Sequence, residues 1–574
     1  MKKIILLIPA LLIMCFAYSQ TKQLSIFIDP PGIKEYPNGT VKKFADSASM
    51  IMFVNKIQTE IWSQGFISAK FEIKDSAGKK CLFIHLGKAW SHFRMNTSHL
   101  ESNLIEEFQN DFTESAKKPF NPFHLSKIIY RVLAFYENNG FPFAQLYMDS
   151  IAFNQDTLHT SLRVEKNEKI TLDSMRIIGN VKISSGFLKR YLGLDFPSSY
   201  DESVMKNIDK RLSDLSFISV TRPSELVFTP GSCKLLIYAD SKKNSSFDGI
   251  VGFRQNDKNK LQLTGEVRLD LINGLFRHGD QLTFNWRKFE SASQDLKSSI
   301  VYPYVFNLPF GLDAKINLLK QDSTFLTINR QAGIRYIFNG QNYVKGFINY
   351  KTSDLINTAG MEFLTVLPPF ADIRNTGYGL EWKIEKYDYR LNPSRGYAIK
   401  ATGTAGERTI RKNPALNPLE YDSILLISNQ YSISGMASVF IPVFRSFVLM
   451  NAFNYGKIIG KNLFSNELER IGGLQTLRGF DEESIYCSQF LIGTLEFRYI
   501  LEQNSHLFLF YDQAYYENFS AGKSDHDTPL GFGAGIRFQT KAGIFTLSYA
   551  LGKQYSNPIQ FSTSKVHFGI ASYF

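Results

Sequence analysis

Two periodicities divide the chain. Up to about residue 242 apolar positions recur at helical spacing and alternate with short strand-like runs; beyond Lys242-Lys243-Asn244 helical spacing largely disappears and two-residue alternation takes over. In Leu491 to Leu501 the odd positions are Leu491, Gly493, Leu495, Phe497, Tyr499 and Leu501, while Thr494, Glu496 and Arg498 occupy even ones. Phe545, Leu547, Tyr549 and Leu551 form one face of a later segment, and Val566, Phe568, Ile570 and Phe574 one face of the last. Alternation of this kind predicts strands with one apolar and one wet face.

The first part repeats. An apolar-periodic stretch over 49–62 ends at Gly65-Phe66, and a strand Lys70 to Ile73 follows. A second stretch over 125–136 ends at Gly140-Phe141 before Gln145 to Met148. A third copy turns at Ser216-Phe217. That unit opens with Met175 to Asn180, a strand running into a Gly-Asn turn; it continues with a helix over 201–212 and closes with Cys233 to Tyr238. Each turn glycine fits a helix C-terminal cap at positive φ, and the aromatic after it can plug a helix–sheet core. The spacing, from 65 to 140 to 216, is that of a small α+β domain rather than a solenoid turn.

Composition sharpens this division. Lys2 and Lys3, an apolar stretch from Ile4 to Phe16 and Ala17-Tyr18-Ser19 read as a secretory signal over 1–19. Met14 stands before Cys15 where lipidation wants a small residue, so a lipid anchor is not expected. Three cysteines remain, Cys81, Cys233 and Cys487; an odd, sparse set predicts separate packed thiols. The chain has 49 Phe and 28 Tyr, yet mean hydropathy is −0.16, and no apolar run of helical spanning length follows the signal. Abundant aromatics in alternation suit a membrane β-barrel; a soluble β-sandwich is the alternative, with its apolar face inward. At roughly 10 residues per strand plus turns, the segment after residue 243 accommodates about 16 antiparallel strands. The net charge of +12 fits a basic lumen and rim, and export argues against nucleic acid as a partner.

Catalytic chemistry is not expected. The nine histidines are scattered, and no pair has metal-ligand spacing on one element. Gly456 to Asn462 has a faint look of a phosphate loop, but its glycines are too close and Asn462 stands where Ser or Thr is needed. Neither a cofactor nor a metal is expected. Leu477-Arg478-Gly479-Phe480 is the segment of interest instead. Glu496 and Asp512 follow on alternating strands, so a guanidinium on a loop faces two carboxylates on the wall. That pattern suggests a loop folded into the barrel and pinned there. If Asp512 faces the lumen, Phe508 and Phe510 do too; the alternative is an Asp512 at a strand end in solvent.

Five stretches, in order, resemble the outer-membrane assembly-factor superfamily that includes BamA and TamA. They are Leu271 to Asp280; Tyr302-Pro303-Tyr304 with Pro309-Phe310-Gly311; the turn Asn392-Pro393-Ser394-Arg395-Gly396-Tyr397; Leu477 to Phe480; and Gly531 to Tyr549. The resemblance covers nearly all the mature chain, and its layout looks most similar to TamA. It implies α+β POTRA-like repeats over 20–90, 91–168 and 169–242, followed by an all-β transmembrane barrel over 243–574 in the bacterial outer membrane, with the repeats in the periplasm. It implies that Arg478 pairs with Glu496 and Asp512. It also implies insertion or translocation of client proteins through a laterally gating barrel.

The seam would join strands carrying Gly249 and Gly252 to strands carrying Gly569 and Phe574; glycine weakens strand pairing, although the same glycines suit the curvature of a sealed barrel. Phe574 resembles the terminal aromatic by which barrel proteins are recognised for their own insertion. The implied partners are the outer-membrane bilayer, unfolded outer-membrane or secreted clients, and an envelope-spanning or periplasmic subunit. Two other functions fit the layout: a two-partner secretion translocator, and a passive pore or surface receptor.

Overall fold

The computed structural model describes residues 22–571 apart from positions 32, 34, 77–78, 91, 118–119, 256–260, 289–292, 362–363, 365, 521–522 and 541–542. The expected signal, Cys15 and Phe574 lie outside the described residues.

The chain begins with strands β1 (Lys22–Asp29) and β2 (Thr40–Phe44), helix α1 (Ser47–Ser63), and strands β3 (Lys70–Ser76) and β4 (Lys79–His85). They form a sheet of order β2-β1-β4-β3. Asp46 starts α1 by accepting from the Ser49 amide, and Met50, Val54, Ile57 and Ile61 on one helical stripe pack on Leu24, Ile26, Leu82 and Ile84. The next sheet, of order β5-β7-β6, combines β5 (His92–Asn96), α2 (Ser102–Lys117), α3 (Pro122–Asn138), β6 (Gln145–Asn154) and β7 (Thr157–Glu165). The third contains β8 (Thr171–Ile178), α4 (Ser185–Leu192), β9 (Ser198–Ser199), α5 (Glu202–Met205), α6 (Ile208–Asp214), β10 (Ile218–Thr229) and β11 (Ser232–Ser241), in order β10-β11-β8-β9.

Where one helix over 201–212 is expected, two short ones stand, broken at Lys206-Asn207. The first sheet also differs from the other two: it has one helix and an added β1–β2 hairpin in place of two helices.

A recurring joint links these sheets. Gly65 (φ +94°) and Gly140 (φ +96°) end their helices in the left-handed region. The Gly65 carbonyl accepts from Trp90 N (3.0 Å), and the Trp90 carbonyl from Phe120 N (3.2 Å). The same relay runs from Gly140 O to Ile170 N (2.8 Å) and from Ile170 O to Tyr200 N (3.0 Å). The third turn uses Phe217 O, which accepts from Lys242 N (2.9 Å). In each case the turn after a helix holds a residue one to five positions beyond the closing strand, so the repeated sequence encodes the linker geometry as well as the core.

The remaining strands form one antiparallel sheet. They are β12 (Ser246–Gln255), β13 (Leu261–Ile272), β14 (Gln281–Lys288), β15 (Gln294–Tyr302), β16 (Phe310–Gln321), β17 (Phe325–Asn339), β18 (Asn342–Leu355) and β19 (Asp372–Tyr387). There follow β20 (Gly396–Arg411), β21 (Ile427–Phe444), β22 (Phe447–Ile459), a separate hairpin β23 (Glu469–Ile471) and β24 (Ile485–Cys487), then β25 (Gln489–Glu502), β26 (Ser505–Ser520), β27 (Lys523–Asp527), β28 (Leu530–Thr540), β29 (Gly543–Lys553) and β30 (Lys565–Ala571). Strand β27 extends only the end of β26, so 16 strands make the wall. The sheet runs from β12 to β30, and these two lie against each other. The barrel unit takes in helices α4 and α6.

Burial alternates along the wall strands and places the apolar face outside. On β25 and β26, Leu491, Leu495, Phe497, Tyr499, Leu507, Leu509 and Tyr511 are exposed, while Phe490, Ile492, Glu496, Phe508, Phe510 and Asp512 are buried. A soluble sandwich would show the reverse. The exposed apolar face belongs against lipid, and the buried polar face belongs to the lumen.

Candidate functional site

The segment between β22 and β25 turns into the lumen. Its root is the short helical turn Ser465–Glu467, and its stem is the β23–β24 hairpin, paired Glu469 to Cys487 and Ile471 to Ile485. Ile471, Leu477, Ile485 and Cys487 pack on the inward residues Phe490, Ile492, Ala514 and Tyr516. Leu477 is fully buried there and fixes the residue after it.

Arg478 meets two carboxylates. Its Nε donates to Asp512 Oδ2 and its Nη2 to Asp512 Oδ1, both at 2.7 Å; its Nη1 donates to Glu496 Oε2 at 2.8 Å. The Arg478 amide also donates to Asp512 Oδ2 (3.2 Å). Arg498 Nε holds the other Glu496 oxygen at 2.7 Å. The fork geometry of guanidinium and carboxylate makes the Asp512 contact bidentate. Phe510 lies beneath, with the guanidinium carbon 3.7 Å from its ring centroid. Phe508 and Phe510 do share the lumen with Asp512, with no bulge between them. Asp512 is fully buried within β26, not at a solvated strand end.

Room for this packing comes from glycines. A Cβ on Gly531 would overlap the Arg478 carbonyl oxygen, and one on Gly552 would press on Gly479 O. Gly479 sits at φ +92°, with Leu551 and Gly552 backbone 2.8 Å from where its Cβ would be. The loop tip therefore rides directly on the backbone of β28 and β29. Phe480 packs at the edge of the same cluster.

Three further anchors were not visible in the sequence. Arg408 on β20, fully buried, grips Glu467 with Nε and Nη2, each at 2.6 Å, and donates to the carbonyls of Lys461 and Asn462 at 2.9 Å. Glu483 meets Arg470 at 2.5 Å within the loop and Lys297 on β15 at 2.8 Å. Asp481 meets Lys565 on β30 at 2.7 Å, and the Gly479 amide donates to His567 Nε2 at 3.3 Å. All of these wall residues lie on the polar phase of their strands. Only their partners, 59 to 186 positions away, were unreadable. The loop thus lies inside the lumen and reaches from β15 and β20 to β30.

The other sequence candidates are placed as follows. Gly396 opens β20 after a turn in which Asp388 accepts from Ser394 N and Arg395 N at 3.0 Å. In that turn, which also contains Pro393 and Arg395, buried Asn392 donates to Gln503 O at 3.1 Å. Gly249 and Gly252 pair with Val267 and Thr264, and Gly569 with Thr546. No register joins β12 to β30 among the described residues. Cys81, Cys233 and Cys487 are free and buried. Among the described residues, no cluster of His, Cys, Asp and Glu could hold a metal, and no helix is long and apolar enough to cross a membrane.

Residues 370–574 match the family model of the Omp85 superfamily domain. From β19 to its end the chain is therefore similar to that domain. The chain is a bacterial outer-membrane β-barrel protein with POTRA-like sheets on the periplasmic side. No curated protein matches the sequence. Among solved structures, CdiB from Escherichia coli aligns with TM-score 0.53 and 14% identity, over 92% of this chain and 97% of that one. CdiB from Acinetobacter baumannii aligns with TM-score 0.50 and 14% identity, over 92% and 98%. BamA from Haemophilus ducreyi lacking POTRA domains 1-3 gives TM-score 0.44 and 15% identity, over 84% and 99%. At these identities the two CdiB structures show the shared fold and nothing narrower, so the expected TamA-like layout is not shown.

Proposed function

We propose that this chain translocates client polypeptide across the outer membrane in the manner of a two-partner secretion translocator of the Omp85 superfamily. Three POTRA-like modules over 20–90, 91–168 and 169–242 would dock the client, and the barrel over 243–574 would be its conduit. The observation that carries this reading is the inward loop. A segment of the same chain lies in the lumen, held by the apolar cluster around Leu477 and by ion pairs at Arg478, Arg408, Glu483 and Asp481. The ion pairs are directional and exchangeable for water. The likeness to both CdiB structures extends over the modules and barrel together, which supports the same reading. Two features depart from the usual plan of these translocators: a third module, and a loop in the lumen where a helix through the pore is usual.

A second reading is insertion of clients into the bilayer through a lateral opening between β12 and β30. It draws on the seam, where no register joins β12 to β30 among the described residues, so an open edge there could pair with a client strand. Either reading leaves room for an envelope-spanning or periplasmic partner.

Depletion of the protein followed by an inventory of secreted and outer-membrane proteins separates the two. Loss of one or a few secreted proteins, with the barrel inventory intact, supports translocation. A broad loss of barrel proteins supports insertion and overturns the first reading.

A further inference from the structure

A polar cavity of about 390 Å³ lies at the periplasmic end of the barrel unit, between helix α6 and the turn after β19. Four cations line it: Lys210 and Arg211 from α6, Lys386 from β19 and Arg390 from the turn. The acids are Asp214 and Glu385, so the lining carries a cationic excess. Arg390 is engaged by Glu385 at 3.2 Å, and Arg211 donates to the Leu192 carbonyl. Lys210 and Lys386 are exposed and make no ion pair within 4.0 Å among the described residues. Burial raises the pKa of the Asp214 carboxyl, while Lys210 and Arg390 oppose that rise.

The position of the cavity selects its ligand. Tyr378, Leu380 and Trp382 on β19 point outward and are exposed, whereas Glu381 is buried, so Ile384 and Lys386 share the lipid-facing phase. Tyr397, at the start of β20, is also exposed on that face. An aromatic beside free ammonium groups at the edge of an apolar wall is the arrangement found at the headgroup level of a bilayer.

We propose that this cavity binds the phosphodiester of an anionic phospholipid from the periplasmic leaflet. Lys210 and Lys386 hold the phosphate, and the acyl chains lie along Ile384 and Tyr397. Because Lys210 belongs to the module next to the barrel and Lys386 to the wall, one lipid would bridge both.

The test uses the full chain purified in detergent and native mass spectrometry of retained lipid. The probes are phosphatidylglycerol and phosphatidylcholine of the same acyl chains, and inorganic phosphate as competitor. The wild type should retain phosphatidylglycerol over phosphatidylcholine by about tenfold or more. Lys210→Gln with Lys386→Gln should abolish that preference, and Lys412→Gln, in an extracellular loop, should leave it intact. Retention of phosphatidylglycerol against inorganic phosphate assigns the site to lipid. Its displacement by inorganic phosphate assigns the site to a free anion and overturns the lipid. Equal retention of the two lipids by the wild type, or an unchanged preference in the double variant, overturns the site altogether.

Discussion

The carbonyl oxygen of Arg478 lies directly over Gly531, so close that a single methyl on Gly531 would overlap it. The loop that carries the guanidinium is therefore seated against bare backbone, and its position depends on what the wall lacks as much as on what the wall offers. Gly531→Ala should lift the tip without removing any charge. Limited proteolysis of the folded protein should then cut between β23 and β24 faster than in wild type, while the heat-modifiable mobility of the barrel stays unchanged.

Removing the charge should cost more. Arg478→Ala leaves Asp512 buried without its cation, and Glu496 with Arg498 alone, a loss of about 3–5 kcal/mol for a buried pair. Arg478→Lys keeps the charge but cannot bond both Asp512 oxygens and the Glu496 oxygen in one plane. Protease sensitivity of the loop should therefore rank alanine, then lysine, then wild type. Lysine equal to wild type would show that charge alone suffices.

The root of the loop should respond independently. Arg408→Ala strands Glu467, which also accepts from Phe464 N at 2.9 Å and caps the turn it belongs to. Hydrogen exchange should rise first around 461–468 in this variant, and around 476–480 in Arg478→Ala. A single pattern for both variants would mean that the loop moves only as one body.

The thiols give a check on the smaller sheets. Burial, with Asp173 nearby, pushes the Cys233 thiol up to about 11. A raised value means that the reactive thiolate is scarce at neutral pH. Maleimide labelling of Cys81 and Cys233 should be slow in the folded protein and rapid after denaturation; fast labelling of the native chain would place these side chains elsewhere.

Much of this was legible in the residues because period is local. The alternation of Leu495, Glu496, Phe497 and Arg498 fixes which side chains face lipid, and Gly65-Phe66 and Gly140-Phe141 mark the repeated modules. The pairing of Arg478 with Glu496 and Asp512 was within reach because loop and strands are neighbours in sequence. Arg408 with Glu467, and Lys297 with Glu483, were not: a barrel brings distant strands together only once it closes, and one inward arginine looks like another. The first sheet, with its extra hairpin and single helix, also escaped, since β2 offers only Val41 and Phe44 as apolar positions. The break between α5 and α6 has no evident side-chain cause.

The central claim is that the chain's own loop closes the lumen through these ion pairs. Single-channel conductance of the reconstituted Arg408→Ala, Arg478→Ala double variant tests it most directly. Wild type should conduct poorly and fitfully, each single variant should open more often, and the double variant should hold a steady, larger conductance. A double variant as quiet as wild type would contradict the account.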